Sequence, residues 1–382
     1  MVERSSGWRA GGHKIDVRGA AVDVIERMGI LSDVERASVT MVGASWVDGA
    51  GKRLVSMDAA FFEQRDSHSL EILRGDLTRI LGTCLRDRGD RGDRAGGVES
   101  VFDDAITGIS ENADGVAVTF ERSAPRSFDL VVGADGVHSG VRALTFGAEA
   151  RFVHDLGGYH VATFTVPNRW KLDRWDLFYL LPGKTMNVSS VREDADARAV
   201  FLFSAPGLKY GRRDRDGQRK LVADVFAHVA WELPWLLELM KDARDFYLDD
   251  VSQVRMDRWS SGRAVLVGDA GYAPSLASGQ GTSLALVGAY VLAGELKAAA
   301  GDHVVAFSRY EAKMRGFVAK NQRLGTDGVR VMVLPSRWKI WLMIWMLRLT
   351  PYMPWKGWLS RRIKFVVDRA ANAIALEAYE EA

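Results

Sequence analysis

The sequence predicts an α/β protein in which strand–loop–helix units of a parallel sheet alternate with a second, strand-rich region. Three observations carry this. Gly262 to Leu286, GRAVLVGDAGYAPSLASGQGTSLAL, runs from a short apolar strand through a loop containing Pro and Gly into an apolar helix. Phe128 to Arg142, FDLVVGADGVHSGVR, has the same strand–turn–helix form. Residues 41–68 and about 156–255 are strand-rich and aromatic, with alternation clearest in Tyr159 to Val166, YHVATFTV.

In the first stretch, Ala264, Val265, Leu266 and Val267 suit a strand buried in the middle of a parallel sheet. Gly268 and Asp269 end it, so a carboxylate stands at the carboxyl end of the strand, where open α/β sheets place ligands. Pro274, Gly279 and Gly281 follow, then Thr282 and Ser283 and a helix through about Leu296. A helix N-terminus behind two glycines offers N–H donors and a positive dipole end to a polarised ring oxygen brought close to the backbone. An ordinary connection needs one Gly at the helix start. In the second stretch Gly133, Asp135 and Gly136 precede a polar helix start with Ser139 and Arg142. An ADG after a strand is by itself a common turn, and it gains weight from its pairing with the first motif. A third element, Leu70 to Leu85, LEILRGDLTRILGTCL, sets Arg74 just before a helix capped by Asp76.

With these motifs the chain resembles the FAD-dependent aromatic hydroxylases, the group A flavoprotein monooxygenases of the p-hydroxybenzoate hydroxylase fold. Tetracycline-inactivating and polyketide hydroxylases are among its members. The resemblance implies an FAD-binding, Rossmann-like α/β fold with an interleaved β-sheet substrate domain and C-terminal helices. It implies that Asp269 binds the FAD ribityl chain, that Pro274 faces the isoalloxazine, and that Gly279 and Gly281 meet the flavin N1–C2=O edge. The helix dipole then stabilises negative charge on reduced flavin. It places Asp135 near the pyrophosphate and the path of the nicotinamide nucleotide, and Arg74 against the FAD phosphates or flavin edge.

The beginning of the chain departs from the pattern. A dinucleotide fold opens with a strand, GxGxxG, a helix and a second strand ending in an acidic residue. Met1-Val2-Glu3-Arg4 reads as the tail of that second strand, with Glu3 on the adenosine ribose hydroxyls, and no GxGxxG occurs. The expectation is that one βα unit of about 30 residues belongs ahead of Met1, lost through a misassigned start or a truncation. Without it a strand edge stands open and apolar surface is exposed. Trp8 to Ile30, WRAGGHKIDVRGAAVDVIERMGI, reads as a glycine-containing loop and a helix from about Gly19 to Gly29. The resemblance lays this loop across the flavin face, with Arg9 toward the nicotinamide nucleotide, Asp16 close to the flavin and Arg18 a weaker candidate. Gly11 and Gly12 serve equally as turn residues, and His13 reads as a loop residue rather than a catalytic base.

The implied domains are 1–40, 69–155 and 256–325 for FAD, 41–68 and 156–255 for substrate, and 326–382 as a C-terminal helical segment. Trp46, Phe61, Phe62, Phe178 and Tyr179 are candidate pocket walls, against the general tendency of such aromatics to be core. Arg86 to Gly97, RDRGDRGDRAGG, is a solvated loop. Trp338 to Arg362 holds five Trp among Lys and Arg, and its longest apolar run, Ile340 to Leu347, is eight residues, short of the roughly 20 that span a bilayer. Trp with basic residues suits an interfacial helix. The family's C-terminal helices instead pack across the substrate entrance, and that reading is preferred, so membrane contact is not expected.

A chain of 382 residues can bury a large core over two domains. Lys and Arg, 51, nearly balance Asp and Glu, 49, so no field for nucleic acid exists. The single cysteine, Cys84, excludes an internal disulfide and points to a reducing compartment, the cytoplasm. Seven histidines show no metal-ligand spacing. The chemistry implied by the resemblance uses NADPH or NADH, bound transiently, to reduce FAD. Dioxygen then gives a flavin C4a-hydroperoxide that hydroxylates an aromatic or polyketide-like small molecule, tetracycline-like compounds included. The cofactor carries the reactive step, so no catalytic side chain is singled out. A monomer or homodimer is expected. Three alternatives stand: a flavin halogenase, whose WxWxIP motif is missing; a flavin dehydrogenase or reductase; and a truncated, non-catalytic remnant unable to hold FAD.

Overall fold

The computed structural model describes residues 1–8, 12–58, 69–90, 97–193, 195–353 and 365–379. Its largest element is a seven-stranded sheet ordered Tyr247–Val254, Val153–Val166, Ala197–Ser204, Lys184–Ser190, Trp175–Leu181, Gly43–Val47 and Arg53–Asp58. Neighbours run antiparallel except Trp175–Leu181 beside Gly43–Val47. Period-two alternation gives the sheet two unlike faces. One is apolar and closed by the helices Arg215–Val225 and Leu233–Asp242, with Phe164, Phe201 and Met186 in its core. The other is half-buried and mixed in polarity over its middle, while at one end Val161, Leu202 and Val251 are buried with Ala277, Val329 and Val333.

The motif strands form a second layer. Val131–Gly133 pairs in parallel with Ala264–Leu266, and Ser260–Ser261 extends that sheet on the far side. Val131–Gly133 is thus an edge, and Val132 is 49% exposed. Val2–Glu3 pairs in parallel with Val101–Phe102, and Lys14–Arg18 pairs antiparallel with Ser69–Leu73. The helices Ala20–Arg27, Gly281–Ala298 and His303–Met332 cover these strands, burying Val17, Ile25, Ile72, Leu266, Leu284 and Phe317 together. Tyr310 ties the long helix to the strand below it by donating to the Leu266 carbonyl at 3.1 Å.

Some local expectations shift. The helix starting at Arg74 runs Arg74–Asp90, so Asp76 lies in its first turn, paired with Arg79 at 3.1 Å, rather than at the cap. The helix expected from Gly19 to Gly29 is Ala20–Arg27. The expected boundary at 325–326 falls inside the continuous helix His303–Met332. Gly325 and Gly328 do not end it; they let it approach a loop. A Cβ on Gly325 would stand 2.1 Å from the Pro274 carbonyl oxygen, and one on Gly328 would stand 2.5 Å from that of Ala277.

Candidate flavin site

The strand Ala264–Leu266 leads into Gly268, whose φ of 64° and ψ of −140° only glycine adopts readily. This turn starts the short helix Asp269–Tyr272. Asp269 is half-buried, and among the described residues its carboxylate has no hydrogen-bond partner. Burial holds that carboxyl above its ordinary range, with Arg74 opposing. Gly279 is left-handed, with φ 63°. A Cβ on Gly279 would stand 3.2 Å from Asp16 Oδ2, and one on Gly281 would stand 3.7 Å from Asp269 Oδ1. Asp16 and Asp269 therefore both approach the start of the helix Gly281–Ala298. Arg18 holds the strand there, bonding through its N–H to Ser283 Oγ at 3.1 Å while its guanidinium pairs with Asp16 at 3.1 Å.

At the cap of this helix, Gln280 is fully buried and, among the described residues, neither atom of its amide has a partner. No side-chain cap occupies the terminus. The first N–H groups of the helix, at the half-buried Gly281 and Thr282, are thus open to an acceptor on a ligand, whereas the Gln280 amide offers no accessible surface.

The loop is braced from behind. Gln253 Nε2 donates to the Pro274 carbonyl at 3.0 Å and to that of Gln322 at 2.6 Å, and Gln322 Nε2 returns a bond to the Val254 carbonyl at 2.7 Å. Arg142, fully buried, donates to the carbonyls of Ala270 at 2.8 Å and Val137 at 2.5 Å, joining the two motif loops. Asp135 accepts from the Ser139 hydroxyl and, at 3.0 Å, from the Val141 N–H, so its carboxylate anchors the start of the helix Gly140–Phe146. Glu3 ends its strand and accepts from the Ser5 N–H at 2.8 Å.

Arg74 is exposed, beside Gly12, and its charge reaches His13, Asp269 and Tyr247. Burial, Arg74 and Arg198 push the His13 imidazole down, toward its neutral form. Lys14 crosses to the seven-stranded sheet, pairing with Asp176 at 2.9 Å. The open sheet face therefore looks toward this ribbon. Across it run Trp46, Phe178, Asn187, Val200, Thr163 and Tyr247, in register. Phe178 stacks on Trp46 with centroids 5.4 Å apart and rings 19° from parallel.

Tyr179 requires a correction. It points to the opposite face, in the core closed by helices, with its ring against Trp231 at 5.6 Å. Adjacent residues of a strand face opposite sides, so Phe178 and Tyr179 cannot line one pocket. Sequence reasoning missed Asn187, Thr163 and Tyr247; only pairing across strands reveals that they share a face with Phe178. Arg9, Gly11, Phe61 and Phe62 lie outside the described residues.

A polar bridge joins the second motif loop to this sheet. His138 Nε2 lies 3.0 Å from Asp249, and its Nδ1 lies 3.3 Å from Glu149, which pairs with Arg212 at 2.6 Å. Tyr247 donates its hydroxyl proton to Asp249. The Asp249 hydrogen bond raises the His138 pKa against the opposing effect of burial.

Residues 17–321 match the family model described as an FAD binding domain. An uncharacterized protein of Mycobacterium tuberculosis is 45% identical over 331 residues, 86% of each chain. A flavin-dependent monooxygenase of Legionella longbeachae is 39% identical over 326 residues, 85% of this chain and 81% of that protein. The crystal structure of tetracycline destructase Tet(51) superposes with a TM-score of 0.82 at 32% identity, over 99% of this chain and 92% of that one. The chain belongs to the FAD-dependent monooxygenases of the p-hydroxybenzoate hydroxylase fold.

Proposed function

We propose that this protein is an NAD(P)H-dependent monooxygenase that hydroxylates an aromatic or polyketide-like small molecule, tetracycline-like compounds included. The observation that carries the reading is the uncapped start of the helix Gly281–Ala298 behind the left-handed Gly279, flanked by Asp16 and Asp269. It fits FAD: backbone N–H groups and a dipole for the polar ring edge, a carboxylate for the ribityl hydroxyls, and glycines where a side chain would block the approach. FAD, when bound and reduced by nicotinamide nucleotide, supplies the activation of dioxygen.

The chain's own residues bind, orient and exclude water. Gly279 and Gly281 would hold the ring edge, Asp269 the sugar chain and Pro274 the ring face, with Gln253 and Gln322 keeping that loop in place. Asp16 and Arg74 would lie beside the ring, and Arg74 adds positive charge near Asp269. Glu3 would take the ribose, and Arg9 would meet the nicotinamide nucleotide. Asp135 acts on the pyrophosphate side through the loop it anchors. Residues 1–40, 69–155 and 256–325 serve the cofactor, and 41–68 and 156–255 serve the substrate. Phe178, Trp46 and Asn187 present an aromatic platform with an amide beside it, suited to a flat, oxygenated substrate. The names of tetracycline destructase relatives support the substrate class.

The test is NAD(P)H oxidation under air by the FAD-loaded protein against a polyketide panel that includes tetracyclines, with product mass followed. One added oxygen atom, labelled when isotopic dioxygen is supplied, is the expected result. Equal turnover without oxygen, with an artificial acceptor and no oxygenated product, would make the protein a dehydrogenase.

A further inference from the structure

The helix Arg337–Leu349 has two apolar faces, and the fold uses one. Ile344 is buried, and Ile340, Met343 and Leu347 are half-buried, where the helix meets the strands Arg53–Asp58 and Trp175–Leu181. Trp338, Trp341, Leu342, Trp345, Met346 and Leu349 recur at helical spacing on the other side and are 41–62% exposed. A contiguous apolar stripe left in water marks a docking surface.

Charge selects the occupant. From residue 328 to 367 the chain carries eight Lys and Arg, five Trp and no Asp or Glu, within a whole chain whose charges nearly cancel. Arg337 and Lys339 stand exposed at one end of the stripe, and Arg348 stands near the other. Trp places an apolar body and an N–H donor at the level of lipid headgroups. Lys and Arg reach headgroup phosphates on long apolar stems. Among the described residues no helix is long and apolar enough to cross a membrane, so the geometry is that of a helix lying in the interface. Two copies docking through this face would bring like charges together, which opposes self-association.

We infer that the helix Arg337–Leu349 seats the protein on the surface of an anionic lipid bilayer, with its Trp stripe between the headgroups. This departs from the expectation of no membrane contact. That expectation rested on the family's C-terminal helices packing across the substrate entrance; here one face of the helix packs on the sheet and the other stays exposed.

The test is sedimentation of the full chain with vesicles of phosphatidylcholine, alone or mixed with phosphatidylglycerol. Binding to the mixed vesicles, a blue shift of Trp emission and release by salt are expected. Trp341→Glu with Trp345→Glu changes exposed positions and should lower vesicle partitioning at least about tenfold, with the circular dichroism spectrum retained. Arg337→Gln with Lys339→Gln leaves the stripe intact, serves if the first pair misfolds, and should lower it about tenfold. No binding of the unaltered chain to anionic vesicles, or binding that neither pair changes, overturns the inference. So does a concentration-dependent dimer abolished by the Trp pair without any vesicle binding, which would identify a second copy as the occupant.

Discussion

The two faces of the seven-stranded sheet are built by the same strands and carry opposite chemistry. On the closed face Tyr179, Met186, Phe201 and Ala162 form one register row, almost wholly buried beneath two helices of the same chain. On the open face the adjoining row is Phe178, Asn187, Val200 and Thr163, all half-buried and partly polar. A face that must bury itself on folding selects for apolar volume and close packing. A face that meets a ligand keeps polar groups at chosen positions and leaves room. The step from one row to the next is a single residue along each strand, so neighbours in sequence answer to different demands.

The sharpest way to break this comparison is the pair Tyr179 and Phe178. Tyr179→Ala should cost about 3–5 kcal/mol of stability, read as a lower urea midpoint. Phe178→Ala should cost about 1 kcal/mol and change substrate KM while FAD affinity stays. Equal losses of stability would mean that the open face is ordinary core.

Asp269 asks whether the glycine-rich loop belongs with the open face as ligand surface. Asp269→Ala removes a charge-assisted hydrogen bond worth about 1.5–3 kcal/mol, so FAD affinity should fall roughly tenfold to a hundredfold in a fluorescence titration. Because burial raises this carboxyl, the flavin-free chain should lose stability as pH rises through the raised pKa. Asp269→Asn should therefore flatten that decline and raise the flavin-free Tm at neutral pH. Unchanged flavin affinity would remove Asp269 from the site.

Gly325 and Gly316 compare two glycines on one helix. A Cβ at Gly325 meets the Pro274 carbonyl, whereas at Gly316 it meets nothing within 4 Å. Gly325→Ala should cost about 1–3 kcal/mol through overpacking and weaken FAD binding by displacing the loop. Gly316→Ala should stabilise the helix by up to about 1 kcal/mol. Thermal melts with and without FAD separate the two.

The smallest effect is at the bridge from the second motif loop to the open face. His138→Gln should cost about 1 kcal/mol. The His138 pKa is raised, so its contribution is full below the unfolded value of about 6.5 and fades as pH rises through the raised pKa. The Asp249 pKa is lowered by His138 and Tyr247 despite burial, so its contribution is full above the unfolded value of about 3.9 and is lost as pH falls through the lowered pKa. The difference between the two proteins should thus be greatest between those two unfolded values and shrink on either side. A difference independent of pH would leave the bridge without an ionic part.

The sequence by itself determined the pieces whose signals lie in consecutive residues. The strands, glycine turns and helix starts at 128–142 and 262–286 were legible because backbone conformation there follows from local sterics and capping. The family, and with it the FAD binding domain, could be read from those same motifs. Tertiary structure alone decided the rest. Asp16 reaches Gly279 because a strand pinned by Arg18 lies against a helix far along the chain. Asp135 puts its carboxylate into a helix cap, a use that depends on the Ser139 hydroxyl and the Val141 N–H turning toward it. Phe178 and Tyr179 parted company once pairing with the two neighbouring strands set their register, and a shift of one residue would exchange their faces. The helix of Arg337–Leu349 was apolar on inspection, but which half of it the fold would cover depended on the sheet edge it met. Periodicity states that a face exists; only packing states what it faces.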